Sequence, residues 1–244
     1  MIILPAIDLK DGRCVRLLRG DFATVHKVAE DPIAVANLFR ENGAKQIHVV
    51  DLDGAKDGVR KNAEIVAQLA KVPGLLIELG GGIRNMEDLR TVFELGVHRA
   101  VIGSAAVTDP DFVRAAAEQY GSRIAVGVDA LDGRVKTAGW VEDSGKTYLQ
   151  FAAEMEQLSV KHLIFTDIAT DGALSGPPME RLKALRESVS CRITASGGIS
   201  CNGDIPVLKE AGMDAAIIGK AFYAGKIDLA QAIREAGEQC WQNG

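Results

Sequence analysis

The sequence predicts an α/β chain folded as one closed (β/α)8 barrel over residues 1–244, built from two similar half-barrels of about 1–120 and 121–244. Three observations predict it. Eight short runs rich in Val and Ile recur along the chain. Helical segments with legible start and stop signals lie between them. The two halves also rhyme. Asp8-Leu-Lys-Asp-Gly12 is answered by Asp129-Ala-Leu-Asp-Gly133, and Gly82 and Gly103 are answered, 116 residues later, by Gly198 and Gly219. Strict alternation of strand and helix gives a parallel sheet with helices on its faces. Eight units with no linker or shift in composition favour closure into a TIM barrel over an open doubly wound sheet. The first strand is also not followed by the G-x-G-x-x-G turn that a dinucleotide-binding sheet requires.

Strands are expected at 2–9, 46–52, 75–79, 100–103, 124–129, 162–167, 192–195 and 215–219. Their continuous apolar character fits parallel strands buried on both faces. Asp31-Pro32 and Asp109-Pro110 read as N-caps followed by proline at the first helical position, and Asn85 as a third N-cap. Gly43, Gly96, Gly121 and Gly212 close helical stretches shortly before the next strand. Residues 33–39 carry the apolar spacing of a helix packed on a sheet. The first helix starts only near residue 31, so the first βα connection, 10–30, is long; the fifth, 132–146, is similar. Long loops at the C-terminal face of a barrel carry function. Asp11-Gly12 and Asp132-Gly133 within them read as turns.

Composition narrows the partners. The chain has 244 residues, 47% of them apolar and 25% charged, ordinary for a globular fold. A net charge of −5 argues against a nucleic-acid-coating protein, and no apolar run reaches the length of a membrane span. Cys14, Cys191, Cys201 and Cys240 are far apart, and no signal peptide precedes the first strand, so reduced thiols and a cytoplasmic location are expected. His26, His48, His98 and His162 show no metal-ligand spacing and read as structural or surface residues; no metal is expected. No apolar seam stands out, so a monomer is expected.

Asp8 and Asp129 end the first and fifth barrel strands, which face each other across an eight-stranded mouth. Two opposed carboxyl groups suit acid–base chemistry, one ionised to take a proton and one protonated to give it. Gly81-Gly82 and Gly197-Gly198 follow the third and seventh strands, where backbone N–H groups can approach an oxyanion closely. Gly103-Ser104 and Gly219-Lys220 follow the fourth and eighth strands, where a short helix can aim its N-terminus at the same anion. Two such cradles on opposite sides of the mouth imply a long small-molecule ligand with a phosphate at each end. Arg16, Arg19, Arg84 and Trp140 lie in or beside mouth loops, for charge pairing or for stacking on a heteroaromatic ring. Thr166 and Asp171 follow the sixth strand as polar partners for either acid, and residues 171–178 form a Gly-rich lid candidate. Asp51 and Asp53 end the second strand and are placed to orient neighbours.

These motifs closely resemble the ProFAR isomerase family of histidine biosynthesis. The resemblance is carried by Leu4-Pro-Ala-Ile-Asp-Leu-Lys-Asp-Gly-Arg13, Val15-Arg16-Leu17, Gly20-Asp21, His48-Val-Val-Asp-Leu-Asp-Gly54, Gly80-Gly-Gly-Ile-Arg84, Ile102-Gly-Ser104, Gly139-Trp140, Thr166-Asp-Ile168 and Ser196-Gly-Gly-Ile199. It implies an Amadori rearrangement of N′-(5′-phosphoribosyl)formimino-AICAR ribonucleotide (ProFAR), from aminoaldose to aminoketose, without redox cofactor or metal. It further implies Asp8 as proton acceptor and Asp129 as proton donor, with Asp171 a rival for the donor role and Thr166 in the catalytic set. Arg16 and Trp140 match positions that contact substrate. Two alternatives stay open. One is the cyclase subunit of imidazole-glycerol-phosphate synthase, which opens with Cys-Leu-Asp where this chain has Ala6-Ile7-Asp8. The other is a dual-substrate isomerase that also accepts phosphoribosylanthranilate.

Overall fold

A computed structural model describes residues 1–18 and 21–237; the side chains of 16–18 and 21–26 lie outside the described set. Among the described residues, twelve strands occur in chain order: β1 (Ile2–Lys10), β2 (Arg13–Leu18), β3 (Asp21–Ala29), β4 (Gln46–Asp51), β5 (Leu76–Gly80), β6 (Arg99–Ile102), β7 (Ile124–Leu131), β8 (Arg134–Thr137), β9 (Glu142–Thr147), β10 (His162–Asp167), β11 (Arg192–Ser196) and β12 (Ala215–Ile218). Eight of them, β1, β4, β5, β6, β7, β10, β11 and β12, pair in parallel in that order, and β12 returns to β1. The circle closes with no edge strand in it, which is the predicted (β/α)8 barrel. All eight strands lie within a residue or two of their sequence positions.

The helices are α1 (Pro32–Glu41), α2 (Leu52–Asp57), α3 (Ala63–Leu69), α4 (Met86–Glu94), α5 (Ala105–Thr108), α6 (Pro110–Tyr120), α7 (Tyr148–Gln157), α8 (Met179–Ser188), α9 (Asp204–Glu210), α10 (Lys220–Tyr223) and α11 (Leu229–Ala236). Asp31, Asn85 and Asp109 cap α1, α4 and α6 through their side chains, as their sequence context predicts. Pro32 starts α1, which buries Val35, Ala36 and Phe39 against the barrel. The short helices α5 and α10 follow β6 and β12, where the sequence places a short helix after each of the Gly103 and Gly219 turns; α2 follows β4 and was not expected, because six residues carry too little apolar periodicity to be read.

The two long βα connections hold β-hairpins rather than open loops. In the first, β2 runs back along β1 with Lys10 opposite Arg13, around a two-residue turn at Asp11-Gly12. In the fifth, β8 runs back along β7 with Leu131 opposite Arg134, around Asp132-Gly133. Both turns hold both residues at positive φ, near 49° and 78° in the first and 50° and 79° in the second, the type I′ geometry that suits Asp-Gly. Asp53 anchors the first hairpin: its Oδ2 accepts from the Asp11 amide at 2.7 Å and from Asn62 Nδ2 at 2.9 Å. Asp51 Oδ1 accepts from the same Asn62 amide at 2.7 Å. In the second half, Asp167 takes the place of Asp51, bound by Arg181, whose other guanidinium nitrogen sits 3.9 Å from Asp132.

The core has two parts. The larger lies between sheet and helices. The smaller fills the barrel itself with Ile2, Leu4 and Ala6 of β1, Val101 of β6, Ala125 of β7, Ile164 of β10, and Ala215 and Ile217 of β12. Side chains alternate along a strand, so the next inward position after Ala6 is Asp8, and the positions after Ala125 are Gly127 and Asp129. An apolar plug thus carries the two acids on top of it. Beneath it the same inward parity places Glu78, Arg99 and His162, all buried.

Candidate active site

A cavity of about 950 Å³ opens at the C-terminal ends of the barrel strands. Its wall includes Asp8, Asp129, Thr166 and Asp171 from the expected catalytic set. The expected binding positions Gly81, Gly82, Arg84, Gly103, Ser104, Trp140, Gly197, Gly198, Gly219 and Lys220 line it too. Arg16 has its backbone in β2 with its side chain outside the described residues, and Arg19 lies outside them altogether.

Asp8 and Asp129 stand on β1 and β7, four strands apart on either way round the circle, and so on opposite walls. Asp129 is held from two sides. Trp140 Nε1 donates to its Oδ2 at 2.8 Å, and the Thr166 hydroxyl, from the register-paired position on β10, donates to the same carboxylate. Burial pushes the Asp129 carboxyl up from its ordinary value, against the opposing pull of those two hydrogen bonds and of nearby His48. A carboxyl group that burial makes hold its proton more tightly is suited to act as a general acid.

The glycine turns come close to neighbouring backbone. A Cβ added at Gly82 would collide with the Gly54 carbonyl, and one at Gly198 with the Gly176 carbonyl; both glycines have positive φ, 69° and 83°. Only glycine fits at these two corners. The amide that follows each turn is tied back in the same way. Arg84 N–H donates to Asp88 Oδ2 at 2.8 Å, and Ser200 N–H to Asp204 Oδ2 at 2.7 Å. The turns also bind the mouth loops. Ser104 Oγ accepts from the Ala138 amide at 3.0 Å, two residues before Trp140. Its counterpart Lys220 donates through Nζ to the Gly172 carbonyl at 2.7 Å, beside Asp171.

His48 reaches the cavity too, which its reading as a structural or surface residue passed over. Its Nδ1 lies 2.8 Å from Glu78 Oε1, and Arg99 Nη1 lies 3.1 Å from Glu78 Oε2. Burial acts to raise the Glu78 carboxyl, but the His48 contact and the Arg99 guanidinium outweigh it and hold it at about 2. The inward parity that His48 shares with Val50 was the available signal. Among the described residues, no group of three His, Cys, Asp or Glu is placed to hold a metal ion, and no helix is long and apolar enough to cross a membrane.

The pattern of a histidine biosynthesis protein matches residues 2–228. The chain belongs to that family. A protein of Clostridium botulinum strain Okra is 49% identical over 234 residues, covering 96% of this chain and 97% of its own length. Relatives from Clostridium acetobutylicum and Listeria innocua are 48% and 46% identical over 233 residues each. All three carry the name 1-(5-phosphoribosyl)-5-((5-phosphoribosylamino)methylideneamino)imidazole-4-carboxamide isomerase. These matches favour an isomerase of histidine biosynthesis over the cyclase alternative.

Proposed function

We propose that this chain catalyses the aminoaldose-to-aminoketose rearrangement of ProFAR, the bisphosphorylated substrate that the names of its relatives describe. The observation that carries the reading is the pair of carboxyl groups on opposed walls of one cavity, flanked by two matching glycine turns. The glycine turns take the terminal phosphates: Gly81, Gly82, Gly103 and Ser104, with Arg84, at one end, and Gly197, Gly198, Gly219 and Lys220 at the other. Arg16 and Trp140 contact the substrate between them.

Asp129 acts as the acid. It protonates the ribose ring oxygen, the ring C–O bond breaks, and a Schiff base forms. Asp8 then takes the proton from C2′. Protonated Asp8 then protonates C1′ of the resulting enolamine, and the C2′ hydroxyl gives its proton to the Asp129 carboxylate, which restores both groups and leaves the ketone. Thr166 steadies Asp129, and Asp171 closes over the ligand from its loop. The raised Asp129 carboxyl supports its assignment as the donor. The cycle uses no redox cofactor or metal.

A monomer is proposed as the working unit and the cytoplasm as its compartment. The matching hairpins, glycine turns and acids support two half-barrels of about 1–120 and 121–244 within one domain. The experiment is turnover of purified protein with ProFAR and, separately, with phosphoribosylanthranilate. Turnover of ProFAR alone is expected. Turnover of both substrates identifies the dual-substrate enzyme, and ammonia-dependent turnover with a glutaminase partner refutes the isomerase reading.

A further inference from the structure

Behind the first glycine turn lies a cation with no part in the chemistry above. Arg60 sits between α2 and α3, with 12% of its side chain exposed, and does not line the cavity. Its Nη1 donates to the Gly81 carbonyl at 3.3 Å and its Nη2 to the Gly82 carbonyl at 3.1 Å. Nη2 also lies 3.8 Å from an Asp88 oxygen.

A trans peptide points its C=O and its N–H in opposite directions. No cis peptide occurs among the described residues. Arg60, by drawing the two carbonyls toward itself, therefore turns the amides of Gly82 and Ile83 the other way, toward the cavity that both residues line. Among the described residues, neither amide donates to a protein group. The next amide is already taken by Asp88. The guanidinium thus fixes the direction of two donors that no protein acceptor among the described residues holds, and its fork matches two neighbouring acceptors in a way an ammonium does not.

Among the described residues, the second half lacks this device. There the Gly198 carbonyl accepts from the Gly176 amide at 2.9 Å, on the connection between β10 and α8. Backbone of a mouth loop does at one end what a buried side chain does at the other.

We propose that Arg60 is the positioning residue of the first phosphate cradle, presetting the Gly82 and Ile83 amides for an anion. The second cradle, held by Gly176, does not depend on it. The proposal rests on reading both glycine turns as phosphate sites.

The test is residue-resolved amide NMR of the full chain titrated with inorganic phosphate. In the unaltered protein, saturable shifts are expected at Gly82 and Ile83 and at Gly198 and Ile199. Arg60→Met is expected to weaken phosphate binding at least tenfold at Gly82 and Ile83, while the Gly198 and Ile199 response stays within twofold. In turnover, KM rises by more than kcat falls. Arg60→Lys keeps the charge and loses the fork, so it restores the first cradle only in part. Equal weakening at both cradles, no weakening at the first, or full restoration by lysine overturns the proposal. If Arg60→Met does not fold, Arg60→Lys decides alone: unaltered affinity at Gly82 and Ile83 overturns it. Absence of shifts at both cradles in the unaltered protein instead removes the phosphate-site reading, and the proposal with it.

Discussion

Trp140 Nε1 donates a hydrogen bond of 2.8 Å to Asp129 Oδ2. The bond reaches from the tip of the β8–β9 hairpin back to the barrel strand before it. It favours the ionised carboxylate, while burial favours the protonated one. Burial dominates the acid strength of Asp129, and a loop residue moderates it, which is open to test.

Trp140→Phe removes that donor and keeps an aromatic ring. The Asp129 carboxyl then rises further. As a general acid it works only while protonated, so the basic limb of the kcat–pH profile moves to higher pH. Loss of the positioning bond lowers kcat by about tenfold. A basic limb that stays in place would remove Asp129 as the proton donor and return Asp171 to that role.

Asp8→Asn abolishes the proposed base while keeping size and polarity. Turnover is expected to fall by ~10²–10⁴-fold, with ligand binding still measurable. Isothermal titration of the variant beside steady-state assays separates the two. Retained activity above about a tenth of the starting value contradicts Asp8 as base.

Gly82→Asp and Gly198→Asp each place a charge in a proposed cradle and a Cβ against backbone at positive φ. KM is expected to rise by about tenfold or more for each. Gly82→Ala and Gly198→Ala separate strain from charge, since alanine carries only the Cβ. Unchanged KM in both aspartate variants, with folding verified by circular dichroism, refutes the two-cradle reading.

The buried polar layer under the cavity makes stability depend on acid pH. His162 is held down at about 3 by its burial and by Arg99 and Arg192, against an ordinary value of 6.5. Glu78 is held at about 2 against an ordinary 4.5. Both groups bind protons more readily in the unfolded chain, so stability falls as pH falls. The loss begins near pH 6.5 through His162 and steepens below pH 4.5 through Glu78. Urea midpoints measured between pH 7.5 and 4 check this, and a flat profile across that range would count against the charged layer.

Much of the site was legible because barrel geometry turns strand ends into neighbours. Asp8 and Asp129 could be paired from the repeat alone, since the first and fifth strands of any eight-stranded barrel are opposed. Gly82 and Gly198 were readable for the same reason. The hairpins at 11–12 and 132–133 were read as turns only, although Asp-Gly between β-prone runs carries the hairpin signal. Arg60 was not readable at all. It lies between α2 and α3, in a stretch with no apolar period, and its partners at Gly81 and Gly82 are more than twenty positions away.

The sequence by itself determined the eight strands, the capped helices between them, the inward parity that delivers Asp8 and Asp129 to the mouth, and the duplicated glycine turns. Those are local patterns of period two or 3.6, and repetition makes them visible. Only the tertiary structure decided which groups tune them: Trp140 and Thr166 on Asp129, Glu78 and Arg99 beneath His48, Arg60 behind Gly81 and Gly82. These contacts join residues from separate elements. Hydrogen-bond geometry sets them after the barrel closes, and no spacing along the chain records it.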